Sequence, residues 1–186
     1  MPGPPSDKGL IILDRDGVIN RDSRSFVKSV DEWLPLPGSI DAIANLSNAG
    51  FTVAVASNQS GIARGLFDDR ALGAMHRKLQ ELVVAAGGLV EHIVVCPHGP
   101  DDGCDCRKPE PGLLHRLGAH FDTSLAGAPT VGDSLRDLQA AKAVGARPIL
   151  VRTGNGQLTS ESLPAGLEDI EIYDDLAAAA AALIAE

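Results

Sequence analysis

The sequence is poor in positive charge, in cysteine and in long apolar runs, and each shortage removes a class of function. Its 16 lysines and arginines face 25 aspartates and glutamates, a formal charge of −9. Nucleic acids and anionic membrane surfaces are bound through basic patches, so neither is expected as a partner. The longest apolar run, within residues 176–185, is too short to span a bilayer. Residues 1–9 lack the apolar core of an export signal. The three cysteines all lie between positions 96 and 106 and cannot all pair within one chain. A reduced, cytoplasmic protein is therefore expected. Aromatic residues make up only 3%, but the apolar fraction of 44% is ordinary for a globular chain. At 186 residues, one domain spanning 1–186 with a full core is the simplest organisation.

What the sequence does contain is a series of short apolar runs that end in polar residues. Leu10-Ile11-Ile12-Leu13 reads as a strand buried on both faces, followed at once by Asp14-Arg15-Asp16-Gly17. Thr52–Ser57 reads as a second strand, His92–Cys96 as a third, Pro129–Gly132 as a fourth, Pro148–Val151 as a fifth and Glu171–Tyr173 as a sixth. Between them, helical spacing runs from an N-cap at Ser39 through Ile40, Ile43 and Leu46 to a stop at Gly50. A longer helix from Asp68 carries Leu72, Met75, Leu79, Leu82, Val83 and Ala86 on its inner face. Two more helices follow Pro111 and Ser134, and an alanine-rich one starts at Asp174 or Asp175. Strands alternating with helices predict an α/β fold with a doubly wound parallel sheet.

In such a sheet the carboxyl ends of the strands converge on one edge. That edge would gather Asp14 and Asp16, Ser57 and Asn58, Arg107 and Lys108, and Asp133 and Asp137. Residues i and i+2 of an extended chain point the same way, so Asp14 and Asp16 would face one space. Two close carboxylates repel, which calls for a cation or a shared proton. An Asp-x-Asp pair can also cap a helix or form a turn. A calcium loop is excluded, because its fifth position would be Val18 and its glycine comes two places early. A carboxylate nucleophile, a second acid, a hydroxyl, a lysine and a remote metal carboxylate suit phosphoryl transfer.

Asp14-Arg-Asp-Gly-Val-Ile-Asn20, Ser57-Asn-Gln-Ser-Gly61, Arg107-Lys-Pro109 and Val131-Gly-Asp-Ser-Leu-Arg-Asp137 resemble the four motifs of the haloacid dehalogenase superfamily of phosphatases. The similarity runs from about residue 10 to about residue 156. Phe26-Val-Lys-Ser29, Trp33-Leu-Pro-Leu-Pro-Gly38, Asn58-Gln-Ser-Gly-Ile-Ala-Arg-Gly65 and Cys104-Asp-Cys-Arg-Lys-Pro109 narrow it to the heptose 1,7-bisphosphate 7-phosphatases of bacterial heptose biosynthesis. The insertions after the first and third strands are short, so no large cap domain is expected, and the chain is expected to be a monomer. The resemblance implies Mg²⁺-dependent removal of the C7 phosphate from a phosphorylated sugar through an aspartyl-phosphate intermediate. In that scheme Asp14 is the nucleophile and Asp16 the general acid and then base. Asp14, the main-chain carbonyl of Asp16, and Asp133 would hold Mg²⁺. Ser57 and Lys108 would hold the transferring group, and Arg107 the rest of the substrate. Asp22, Ser23, Arg24 and Ser25, with Asn58, Gln59 and Ser60, match substrate-lining segments. Ser57 stands where the family commonly has threonine. Ser134, also assigned to the substrate, stands where some members carry lysine. Histidinol-phosphate phosphatases share the aspartates and are the alternative, and a non-catalytic metal-binding scaffold is a third reading.

Cys96-x-His98-x5-Cys104-x-Cys106 offers four soft or borderline ligands, which suit a closed tetrahedral Zn²⁺ site. Free thiols or a disulfide are the competing readings of the residues alone, and the family resemblance adds a short zinc loop. Zinc there would be structural, ordering the loop that delivers Arg107 and Lys108. His76 reads as a partly buried structural histidine and His115 and His120 as structural; Gly154-Asn-Gly156 reads as a surface turn ahead of a lining of the site, and Arg64 either meets a phosphate or decorates its loop.

Overall fold

The computed structural model describes residues 8–186; the export-signal reading therefore falls almost wholly outside the described residues. The elements run β1 (Gly9–Leu13), α1 (Ser39–Asn48), β2 (Phe51–Asn58), α2 (Asp69–Ala85), β3 (His92–Cys96), α3 (Gly112–His120), β4 (Pro129–Gly132), α4 (Leu135–Ala143), β5 (Arg147–Val151), α5 (Gly156–Ser160), β6 (Glu171–Tyr173) and α6 (Leu176–Ala185). The sheet has the order β3-β2-β1-β4-β5-β6, and every neighbouring pair is parallel. After β3 the chain returns to lay β4 on the other side of β1, so the direction of winding reverses between those two strands. That reversal opens a crevice at the carboxyl ends of the sheet, where this class of fold binds ligands.

Strand side chains alternate between two cores. Ile11 and Leu13 point into a cluster with Ile43 and Leu46 of α1, Met75 and Leu79 of α2 and Leu183 of α6. Leu10 and Ile12 point the other way, toward Leu113, Leu114 and Leu117 of α3 and Ala140 and Ala141 of α4. Burial on both faces explains why β1 is apolar without a break. Among the described residues, the connections after β1 and β3 contain no helix, in keeping with the absence of a large cap.

Helix ends differ from the sequence reading in small ways. Gly38, with φ 74°, takes the N-cap position expected for Ser39. The Ser39 hydroxyl instead donates to the Ile19 carbonyl at 2.6 Å and the Leu36 carbonyl at 2.9 Å. It is buried, and those loop carbonyls are the acceptors within its reach. Ala86, expected on the inner face of α2, is the exposed C-cap residue. The short helix α5 was not expected, because five residues carry no readable apolar period.

The connection after β1 is irregular but anchored. Val18, Ile19, Val27 and Trp33 drop from it into the first core. Trp33 is fully buried, and its indole nitrogen has no hydrogen-bond partner. The Lys78 ammonium lies 5.7 Å from the centre of the indole ring and donates to the carbonyls of Val30 and Trp33, each at 2.8 Å. A plug and a clip thus fix the loop that carries Asp22 and Ser23. Trp33→Ala is expected to lower unfolding stability by about 3–5 kcal/mol, and Trp33→Phe, which also removes the unpartnered N–H, by clearly less. Urea denaturation midpoints measure both; equal losses would refute the packing account.

Candidate active site

The site begins where β1 ends. Asp14 follows the last strand residue, and its amide donates to the Val131 carbonyl of β4 at 2.9 Å, which holds it over the crevice. Lys108 reaches the same point from the loop after β3. Its ammonium contacts Asp14 Oδ1 at 2.8 Å, Asp137 Oδ1 at 2.6 Å and the Ala56 carbonyl at 2.7 Å, accounting for its three protons. The Lys108 main chain is clamped in turn by Asn58, whose side chain donates to the Lys108 carbonyl and accepts from its amide, both at 3.0 Å. Asp137 also caps α4, accepting from the Ser134 amide at 3.0 Å and the Ser134 hydroxyl at 2.6 Å.

Asp16 lies in a separate nest. Arg15, itself fully buried, grips both Asp16 oxygens at 2.9 and 3.0 Å. Asn20 donates to Oδ1 at 2.8 Å, and Gln59 to Oδ2 at 2.7 Å. Burial alone would raise the Asp16 pKa, but Arg15 and the two amides outweigh it and hold the carboxyl below its usual range. Gln59 also donates to the Ser57 hydroxyl at 2.8 Å, tying the second strand's hydroxyl to this acid.

Asp133, at the end of β4, completes the acidic floor. Its Oδ2 accepts from the Asn155 amide at 2.7 Å and the Asn155 side chain at 3.2 Å. The same side-chain nitrogen reaches Asp22 at 3.1 Å. Gly17 and Gly154 press together here, both at positive φ, and a side chain on either would strike the Asp133 carboxylate. Glycine is required by both backbone angle and space.

Carboxylate oxygens of Asp14, Asp133 and Asp137 lie within 4.8 Å of one another, against the single Lys108 ammonium. Burial first, and then the charge of Asp137, push Asp14 well above the usual carboxylate range despite Lys108. The same two causes push Asp133 up to about 7. Burial opposes ionisation of Asp137 as well, but Lys108 and Ser134 hold it ionised. Surplus buried negative charge on hard oxygen donors fits a divalent cation such as Mg²⁺. Both Asp137 oxygens are already engaged by Lys108 and Ser134. Asp14 and Asp133 are thus the carboxylates that fit a metal, while Asp137 places the lysine.

The four zinc candidates also converge. Cys96 Sγ lies 3.1 Å from Cys106 Sγ, 3.7 Å from Cys104 Sγ and 3.5 Å from His98 Nδ1, and His98 Nδ1 lies 3.3 Å from Cys106 Sγ. Ligands on a tetrahedral zinc sit roughly 3.4–3.8 Å apart, close to this arrangement. All three cysteines are free, so the disulfide reading fails. The cluster ends one residue before Arg107, whose guanidinium donates back to the His98 carbonyl at 3.3 Å.

Asp14, Asp16, Asp22, Ser23, Ser57, Asn58, Gln59, Ser60, Arg107, Lys108, Asp133 and Ser134 all line one cleft of about 360 Å³. Arg24 and Ser25 are exposed and do not line it; the chain turns away there, with Ser23 Oγ accepting from the Ser25 amide. The surface-turn reading of Gly154-Asn155-Gly156 is corrected, because Asn155 lines the cleft and holds Asp133. Arg64 and Arg136 also line it. His76 is half-buried, as expected, and lies 3.4 Å from the Arg15 guanidinium.

A carboxylate pair, a buried lysine and a metal-fitting aspartate at the switch point of this sheet define a phosphoryl-transfer hydrolase. A family model described as HAD-hydrolase-like matches residues 105–179. The D-glycero-β-D-manno-heptose-1,7-bisphosphate 7-phosphatase of Pseudomonas aeruginosa is 58% identical over 178 residues, covering 95% of this chain and 98% of that protein. The crystal structure of D,D-heptose 1,7-bisphosphate phosphatase from B. bronchiseptica, complexed with magnesium and phosphate, aligns with a TM-score of 0.90 at 55% identity and covers 95% of this chain and 98% of that one. The enzyme of the same name from Burkholderia thailandensis aligns with a TM-score of 0.73 at 42% identity, covering 95% and 99%. The chain belongs to the D,D-heptose 1,7-bisphosphate phosphatase family of HAD-like hydrolases.

The raised carboxylates set a pH dependence. Asp133 moves from 3.8 to about 7 on folding, so between those values the folded chain holds a proton that the unfolded chain has lost. Without metal, its contribution to stability is present at low pH and is lost as pH rises through about 7. A cation bound to the ionised carboxylates opposes that loss. Mg²⁺ is expected to raise the melting temperature more at about pH 8 than at about pH 5. An equal shift at both values, read by thermal denaturation with and without chelator, would refute the assignment.

Proposed function

We propose that this enzyme hydrolyses the C7 phosphate ester of D-glycero-D-manno-heptose 1,7-bisphosphate, with Asp14 as nucleophile and Asp16 as acid and base. The observation that carries the reading is Asp14, held by Lys108 at 2.8 Å at the switch point of the sheet, beside Asp133. The names of the relatives at 55–58% identity support the substrate and set the histidinol-phosphate alternative aside.

A carboxylate oxygen of Asp14 attacks phosphorus, the bond to the sugar oxygen breaks, and Asp16 gives that oxygen its proton. Water, deprotonated by Asp16, then attacks the acyl phosphate, releasing inorganic phosphate and the Asp14 carboxylate. The nest of Arg15, Asn20 and Gln59 keeps Asp16 ionised at rest, which suits the base of the second step. An arriving phosphate dianion raises its proton affinity for the first. The Ser57 hydroxyl and Lys108 meet the equatorial oxygens, Lys108 exchanging its contact with Asp14 Oδ1 for one of them. Mg²⁺ held by Asp14, Asp133 and the Asp16 carbonyl would supply the positive charge that gathers at the transferring group. Zn²⁺ on Cys96, His98, Cys104 and Cys106 would fasten the loop that aims Lys108. A cytoplasmic setting belongs to the same proposal, supported by the free thiols; among the described residues no helix is long and apolar enough to cross a membrane.

The test is phosphate release, with Mg²⁺, from each anomer of the heptose bisphosphate and from histidinol phosphate. Strong preference for a heptose bisphosphate, abolished by Asp14→Asn with the fold retained, is the expected result. Preference for histidinol phosphate would overturn the substrate, and activity surviving in Asp14→Asn would overturn the mechanism. Elemental analysis of the purified enzyme is expected to give about one zinc per chain, and Cys104→Ser to lower it. A zinc-free enzyme of full stability would remove the structural metal from the scheme.

A further inference from the structure

Arg15 divides its guanidinium between two side chains. Its Nη2 donates to both Asp16 oxygens, at 2.9 and 3.0 Å, and Nε adds a longer contact to Oδ1 at 3.3 Å. The other terminal nitrogen, Nη1, lies 3.4 Å from Nε2 of His76. Arg15 is fully buried, and a guanidinium offers donors and no acceptor. His76 Nε2 is therefore the acceptor of this pair, which puts the ring proton on Nδ1 and leaves the imidazole uncharged. The surroundings favour that state: burial first, and then the Arg15 charge, push His76 down to about 4 against the pull of Asp16. The contact needs no change of charge near neutral pH.

His76 belongs to α2, 61 residues along the chain from Arg15. Leu72, Met75, Leu79 and Val83 seat that helix in the first core, so its position is set without the imidazole. Two residues on, Lys78 clips the Trp33 loop from the same helix. The helix thus grips the segment after β1 at two points. One contact steers the loop, and the other ends on the group that holds Asp16. An imidazole kept neutral beside a permanent cation is an expensive occupant for a packed helix face. What it supplies is an acceptor for the part of Arg15 that Asp16 does not reach.

We propose that His76 is a positioning residue for the reaction: by fixing Arg15 from behind, it holds the Asp16 carboxyl where protons pass to the leaving oxygen and from the attacking water. The inference rests on the assignment of Asp16 as acid and base. His76 is not among the residues that line the cleft, so its effect passes wholly through Arg15. With Nη1 released the guanidinium can pivot, and all three of its contacts to Asp16 change together. Proton transfer tolerates little displacement of the acid.

The experiment measures kcat and KM of wild type, His76→Leu and His76→Gln on heptose 1,7-bisphosphate and on p-nitrophenyl phosphate. Leucine fills the space without an acceptor, and glutamine restores one through its side-chain carbonyl. The sugar oxygen leaves poorly unless it is protonated, whereas p-nitrophenolate leaves without a proton. In His76→Leu, kcat/KM on the bisphosphate is expected to fall about tenfold, through kcat, with KM within about twofold. On the aryl ester kcat/KM stays within about twofold, and His76→Gln recovers most of the loss on the sugar. Loss of folded protein lowers both substrates alike, so the ratio between them reads positioning apart from stability. Equal losses on the two substrates, no loss on either, or a glutamine variant no better than leucine would overturn the proposal. Asp16→Asn, expected to show the same selectivity more strongly, separates this inference from the reading beneath it. Equal losses in Asp16→Asn would bring down the acid assignment and this inference together; selectivity in Asp16→Asn but not in His76→Leu would bring down the inference alone.

Discussion

Much of this molecule is arranged around one buried ammonium group. Lys108 joins the end of β1 through Asp14, the end of β2 through the Ala56 carbonyl, and the start of α4 through Asp137. Removing the ammonium would leave Asp14 and Asp137 buried without their counter-charge, which is far more costly than losing a surface pair. The surroundings are built to keep the lysine there. Asn58 grips its main chain at two points, and the Cys/His cluster closes the loop just upstream. Asp137 is fixed by capping α4, so a helix cap and an active-site ion pair share one carboxylate. A change at the Ser134 cap would therefore reach Asp14 through two contacts.

The same bridge sorts the acids by role. One lysine cannot neutralise three carboxylates, and the one with the fullest set of donors, Asp137, stays ionised while Asp14 and Asp133 are pushed toward protonation. Those two are the pair that a divalent cation would relieve. Asp16 escapes the competition because Arg15 turns it into a separate nest. The four acids thus take two electrostatic states, ionised for Asp16 and Asp137 and pushed up for Asp14 and Asp133, decided by which donors reach them.

Strand ends were legible in the sequence because burial on both faces leaves a signature that few other elements share. The third, fourth and sixth strands have the bounds their apolar runs suggested, and the acids that follow the first and fourth meet at the switch point. The cysteine spacing was legible as well, since four ligands so close together have few other uses. Asn155 was not: a Gly-Asn-Gly turn looks the same whether its asparagine meets water or a carboxylate 22 residues away. The pairing of Asp137 with Lys108 and the grip of Arg15 on Asp16 are contacts that strand and helix periodicity do not encode.

Crowding like charges at one edge of a sheet lowers stability, and the offset has to come from elsewhere in the fold. The aliphatic core supplies most of it, but the far side of the molecule also carries ion pairs placed for closure. Arg147, at the start of β5, binds Glu171 of β6 at 2.8 Å and the terminal Glu186 at 2.6 Å. Lys8 donates to the Ile184 carbonyl at 2.9 Å, satisfying the carboxyl end of α6 where a cation is favoured. There, charges sit where helix ends and neighbours want them. At the cleft, Asp133 sits where burial and Asp137 disfavour its charge. The contrast separates charges that settle the fold from a charge that a bound cation would relieve, and puts the latter at the end of β4.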